Sequence, residues 1–292
     1  MGSSTLAIAS ILAAVTVFAG GFVSGRMYYD AGGIPADVVV LRFGEAAALL
    51  LPYMLWSLRR LLANPGIGRA IALTLVGGAP FGITVMTGVA GAPVTHGAGI
   101  VPAMALIVGA VISITILKEP VSRMRLLGLA MALAGIAALI LPAVTAGDAA
   151  WWGELAFIGA GALWGCFTVG LRVLNLRALD GTALVSVLSL PFLAVYGFWL
   201  DPQFLHVPVR ATIEHGIYQG IIFQVVALVL YSRGVAQLGA TFGVAAMALM
   251  PAIGTLMEWA IFARVPYWQE LAAILIIASG VAMVARSSAA RA

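Results

Sequence analysis

Charge is what this chain has least of. Asp, Glu, Lys and Arg make up 9% of its 292 residues, against about 25% in an ordinary soluble domain. So few charges cannot cover a water-facing surface, which excludes a soluble globular protein. Cysteine is scarce too. Cys166 stands alone, so no internal disulfide can form, and its place in mid-helix says nothing about redox compartment. The three histidines, His96, His206 and His215, do not stand beside acidic residues at ligand spacing within an apolar run, and no Asp-rich motif occurs. An intramembrane enzyme therefore lacks the constellation its chemistry needs. The phosphate-cradling pattern Gly-x-x-x-x-Gly-Lys is missing as well, so no ATP site is read here. No metal and no cofactor is expected.

What fills the chain instead is apolar. Hydrophobic residues account for 63% and the mean hydropathy is +1.10. A membrane-spanning helix needs about 20 apolar residues. The expected class is an all-α polytopic membrane protein in a lipid bilayer, with ten spans near 5–26, 36–57, 69–90, 94–117, 122–142, 151–171, 181–200, 212–235, 238–262 and 267–285. Punctuation such as Gly32-Gly33-Ile34-Pro35, Asn64-Pro65-Gly66 and Asp201-Pro202 separates them. The first run, Thr5 to Val23, has no basic region before it and is long enough to span, so it reads as a helix rather than a signal peptide.

The net charge of +4 is no nucleic-acid footprint; its distribution matters more. Alternate connections and the tail carry Arg59, Arg60, Arg69, Lys118, Arg123, Arg125, Arg172, Arg177, Arg233, Arg286 and Arg291. The opposite connections carry only Arg26, Arg210 and Arg264, and that side carries Asp30, Asp37, Asp148, Glu154, Asp201, Glu214 and Glu270. Basic residues favour the cytoplasm. The expectation is a multi-pass protein of the cell (inner) membrane with both termini cytoplasmic and Asp148 and Asp201 outside.

The chain also repeats itself. Gly20, Phe22 and Gly25 match Gly165, Phe167 and Gly170; Gly88-Val89-Ala90 matches Gly234-Val235-Ala236; Gly97 matches Gly243 and Pro120 matches Pro266. The expected units are residues 1–145 and 146–292. Five spans each make the second unit inverted, as in many secondary transporters that build one central site between two gates.

Polar residues inside spans are candidates by default. Arg42 and Glu45, three apart on the second helix, are expected to pair, either as a gate or coupling pair or as a packing device. Glu258, in the ninth, has no charged neighbour in sequence and either titrates or reaches outward. Glu258 and Glu45 are the acidic residues placed within spans, so they are the coupling candidates. On the eighth helix Tyr218, Gln219 and Phe223 offer an amide and a ring on one face, suited to a zwitterion with an apolar side chain; alternatively Gln219 bonds across a helix contact. Trp164 and Thr168 share a face of the sixth helix. Gly78, Pro80 and Gly82, followed by Thr84, form a candidate hinge. His96 near the outer end of the fourth helix either titrates or is held by a hydrogen bond. Pairs such as Gly21/Gly25, Gly161/Gly165 and Gly216/Gly220 allow close helix approach.

These residues resemble a known family. Trp164-Gly165-Cys166-Phe167 is similar to the Trp-Gly-x-x-Phe opening of the EamA repeat in the drug/metabolite transporter superfamily. Leu41-Arg42-Phe43, Leu117-Lys118-Glu119-Pro120, Leu230-Tyr231-Ser232-Arg233-Gly234-Val235-Ala236 and Leu249-Met250-Pro251 resemble its second, fourth, eighth and ninth helices. Ala19 stands where the repeat would place a second Trp164, and Arg264-Val265-Pro266 replaces the second Lys-Glu-Pro. The resemblance implies a cavity lined by helices one, three, four, six, eight and nine, with Trp164 on it. It also implies export of amino acids, drugs or other metabolites, and the overall look is that of the bacterial amino-acid exporter branch, bulky and aromatic amino acids included. The expected partner is thus a small-molecule substrate.

Overall fold

The computed structural model describes residues 3–146, 151–199 and 202–289; Asp148, Asp201 and Arg291, three residues on which the charge reading leaned, lie outside them. Among the described residues every regular element is helical. That follows from the solvent: hydrocarbon offers backbone amides no partner, and a helix pairs them internally.

Ten segments cross the structure. They are α1 (Ser3–Asp30), α2 (Pro35–Ala63), α3 (Ile67–Gly91), α4 (Val94–Thr115), α5 (Arg123–Ala146), α6 (Trp151–Val173), α7 (Ala178–Leu188 with Pro191–Trp199), α8 (Val209–Leu238), α9 (Ala240–Met247 with Met250–Phe262) and α10 (Trp268–Ala289). Nine of these hold an apolar run long enough to span; α7 reaches its length only as two short helices.

Three segments are broken where continuous helices were expected. α3 stops at Gly77 and restarts at Ala79, α7 pauses at Ser189-Leu190, and α9 pauses at Ala248-Leu249. Pro80, Pro191 and Pro251 each open the helix that follows. Proline lacks the N–H that a preceding turn would use and disfavours helical backbone just before it. Pro52, Pro102 and Pro142 lie inside unbroken helices. α8 answers the same need without proline: Ile217–Ala227 widens into a π-helix, a form common at functional sites.

The contacts between the two sets of five helices come in related pairs. α4 packs on α6 as α9 packs on α1; α3 packs on α6 as α8 packs on α1; α2 meets α8 as α7 meets α3. α5 and α10 pair with each other on the outside. There a Cβ on Gly128 would stand 2.7 Å from the Gly280 carbonyl oxygen, so only glycine permits the approach. A five-helix unit ends on the face opposite its start, so the second unit runs upside down relative to the first. One end of the bundle gathers the starts of α2, α4, α6, α8 and α10 and is called the His96 end; the other, with the start of α7, is the Asp180 end.

Candidate functional site

A cavity lies between the two sets of five helices. Its wall is aromatic. Phe18 and Phe22 come from α1, Phe81 from α3, Trp164 and Phe167 from α6, and Phe223 from α8. Trp164 sits 5.0 Å from the ring centres of both Phe81 and Phe167, and Phe18 meets Phe223 edge-on at 5.5 Å. α2 and α7 also reach the wall, through Arg42, Thr182 and Val185, which the resemblance did not imply.

Arg42 is the one charged residue of that wall, and its residue exposure is 1%. The expected Arg42–Glu45 pair is not formed. Arg42 Nε and Nη2 instead donate to Gln219 Oε1 at 3.1 and 2.5 Å, and Gln219 Nε2 donates to the Gly21 carbonyl at 2.7 Å. The Arg42 guanidinium also lies 4.4 Å from the centre of the Phe223 ring. Glu45 turns the other way, into a groove that Gly216 and Gly220 leave on α8; a Cβ on Gly216 would meet Glu45 Oε1 at 2.2 Å. Spacing alone placed the two charges on one face, but packing against α8 separated them.

Other candidates are spread out. Trp164 and Phe223 line the cavity, whereas Gln219 is fully buried behind its wall. Tyr218 Oη donates to the Val17 carbonyl of α1. Thr84 and Thr168 donate to carbonyls of their own helices, at Pro80 and Gly165, and neither lines the cavity. Gly78 marks the break in α3. Its neighbour Ala79 donates its N–H to Ser189 Oγ at 3.0 Å, so the breaks in α3 and α7 touch. Gly82 packs on Val39 and Phe43 of α2.

His96 and Glu258 belong to a buried cluster at the His96 end. His96 Nδ1 bonds Glu154 Oε1 at 2.5 Å, and His96 Nε2 lies 3.5 Å from Glu270. Glu258 accepts the N–H groups of Val94 and Thr95, at 3.1 and 2.9 Å, and the Thr95 hydroxyl. It thereby satisfies the orphan amides at the start of α4 from another helix, where a carboxylate also suits the helix dipole. Arg264 bridges the set, 2.6 Å from Glu270 and 3.6 Å from Glu258. Glu154, placed on the outer side by the charge reading, is 1% exposed in the first turn of α6. Asp37 is likewise buried, held by the Tyr196 hydroxyl and the Ile34 N–H. Glu258 is thus not the only buried acid, and Glu45 is only partly buried.

The Asp180 end is looser. Asp180 accepts from Arg60 at 2.6 and 2.8 Å, from Arg177 at 3.0 Å and from Tyr53 at 2.5 Å. Arg60 and Arg177 keep side-chain exposures of 47% and 67%. α4 records the same asymmetry: Val94 to Val101 are all buried, while beyond Pro102 only Ala103, Ala105, Ala110 and Ser113 are. The His96 end is closed in this state.

The repeat held a signal for the wall that went unused. Phe22 and Phe167 are matched positions of the two units, and both line the cavity. Phe81, Thr182 and Gln224 had no such mark.

Comparison with known proteins agrees with this architecture. Residues 151–286 match the EamA-like transporter family. That stretch lies within the second set of five helices, which is thus similar to an EamA-like transporter domain. A solved structure described only as "Crystal structure of protein" has the same fold, with a TM-score of 0.56 over 97% of this chain and 98% of that one, at 18% identity. No curated protein matches.

Proposed function

We propose that this protein is a secondary transporter exporting amino acids with bulky or aromatic side chains, or related small metabolites, by alternating access. The observation that carries the reading is the aromatic cavity between two inverted five-helix units, the second of which matches the transporter family. Residues 1–145 and 146–292 act as the two moving units. The wall residues Trp164, Phe223 and Arg42 contact substrate, and Gln219 positions Arg42. Gly78 and Pro80 form the hinge, bending against Ser189. The His96 end faces outward, as the basic residues of the other end indicate, and it is the gate that must open for release. Glu258 is the latch of that gate: export requires it to let go of the α4 amides. Glu258, which holds those amides, is the coupling candidate ahead of Glu45, whose carboxylate is packed against α8.

The test is flux in liposomes containing the purified protein. Preloaded tryptophan, phenylalanine and leucine should leave faster than from protein-free liposomes, with saturation and with inhibition by one another. Trp164→Ala should slow that flux while the protein stays folded. No carrier-dependent flux of any of the three sinks the amino-acid reading.

A further inference from the structure

Arg42 is a cation buried within a spanning helix without a counter-ion. Among the described residues it makes no ion pair, and no Asp or Glu lies on the cavity wall. Its observed partners are neutral: the Gln219 amide and the face of Phe223. A buried charge is costly unless paired, and Nε and Nη2 of the guanidinium are already taken up by Gln219. The amide fixes the side chain from behind, itself anchored on Gly21, so the fork is held in place rather than free to swing. Arginine's remaining donors suit the two oxygens of a carboxylate. Arg42 stands seven residues into α2, about 10 Å from its start at roughly 1.5 Å per residue, on the side of the cavity nearer the closed His96 end. From there the wall runs through Phe223, Phe18, Phe81 and Trp164.

We propose that Arg42 is a carboxylate anchor and that the cavity prefers organic monoanions with an aromatic or branched apolar body over zwitterions and cations. The inference rests on the reading of this cavity as the transport site and narrows its substrate class. A carboxylate entering the cavity completes the ion pair that the fold leaves open. An ammonium group entering beside it meets the like charge of Arg42, with no wall carboxylate to receive it. Zwitterionic amino acids therefore bind through the same anchor but more weakly than the corresponding carboxylates lacking the amine.

The test compares ligands that share one ring and one chain: 3-phenylpropanoate, phenylalanine, 3-phenylpropanamide and 3-phenylpropylamine. Binding is read by calorimetry on the purified full-length protein in detergent. 3-Phenylpropanoate should bind tightest, the amine weakest, and the advantage of the carboxylate over its amide should be roughly 10- to 100-fold, the range of a charged hydrogen-bonded pair. Arg42→Gln should erase that ratio by weakening carboxylate binding to the level of the amide. Should Arg42→Gln fail to fold, Arg42→Lys keeps the charge and loses the fork, and the ratio should fall to an intermediate value. Equal binding of carboxylate and amide by the wild type overturns the anchor, as does the absence of saturable 3-phenylpropanoate binding. An unchanged ratio in a folded Arg42 variant also overturns it. Liposome flux separates this from the wider reading: carboxylate binding without flux removes the transport role and leaves the anchor, whereas phenylalanine flux without carboxylate preference does the reverse.

Discussion

The two ends of the bundle carry similar numbers of charges and use them in opposite ways. At the His96 end the carboxylates of Glu154, Glu258 and Asp37 are almost wholly buried, and they are held by backbone amides, a histidine and hydroxyls from neighbouring helices. At the Asp180 end the carboxylate is equally buried, but the arginines that bind it remain half in solvent. The difference decides what happens when a partner is lost. A donor stranded in the interior bears the full cost of desolvation, and a stranded exposed arginine turns to water. A gate built the first way is a specific lock; one built the second way is a loose clasp. The closed state seen here is the state in which the lock is engaged.

The sharpest way to break this comparison is Glu258→Ala. It strands two α4 amides and the Thr95 hydroxyl and takes one carboxylate from Arg264. Loss of about 3–5 kcal/mol is expected, the range for breaking a buried charged network, seen as a large fall in melting temperature in micelles. If the variant survives, the equilibrium should shift toward opening at the His96 end, and a cysteine at Ala98, buried here, should become reactive toward a thiol reagent in a Cys166→Ser background. A melting temperature within a degree or two of wild type would show that Glu258 is not the lock.

Much of this architecture is legible in the residues. The apolar runs set the segments, the repeat of Gly20 and Phe22 on Gly165 and Phe167 pointed to the inverted plan, and Gly78 and Pro80 marked the break in α3, whereas Pro52, Pro102 and Pro142 lie inside unbroken helices. The site was legible only in part. Trp164, Phe223 and Arg42 were singled out and lie on the wall. What could not be read was which way each polar side chain turns. Arg42 and Glu45 share a helix face, yet glycines on α8 made room for Glu45 and Gln219 claimed Arg42. Glu154 and Glu270 read only as acids of the outer side; the approach of α4 to α6 and α10 made Glu154 a buried and Glu270 a partly buried partner of His96. Such pairings depend on helix rotation, which hydropathy does not encode.

A middle-sized effect is expected between the two ends, at the meeting of the broken helices. A methyl at residue 78 would stand 2.4 Å from Ser189 Oγ and 2.7 Å from the Thr74 carbonyl oxygen. The hydroxyl can rotate away, but the carbonyl cannot, so α3 or α7 must shift. Gly78→Ala should cost roughly 1–3 kcal/mol, as overpacking does. If this junction is the pivot about which the ends alternate, the variant should lose transport rate more than binding: liposome flux falls while ligand affinity in detergent holds. A variant with normal flux would remove the pivot and leave the break as a packing feature.

The smallest effect belongs to the loose clasp. Asp180→Asn keeps the shape of the acceptor and removes its charge, and Arg60 and Arg177 are exposed enough to be hydrated in its place. The expected loss is about 1 kcal/mol or less, the usual worth of ion pairs with solvent-exposed partners. Salt gives an independent reading. At an ionic strength of 1 M the Debye length falls to about 3 Å, so the clasp should weaken while the buried lock does not. Raising salt should therefore lower the stability difference between wild type and Asp180→Asn, and leave the difference between wild type and Glu258→Ala unchanged. If both differences shrink alike, water reaches the His96 end as freely as the Asp180 end, and the contrast between lock and clasp fails.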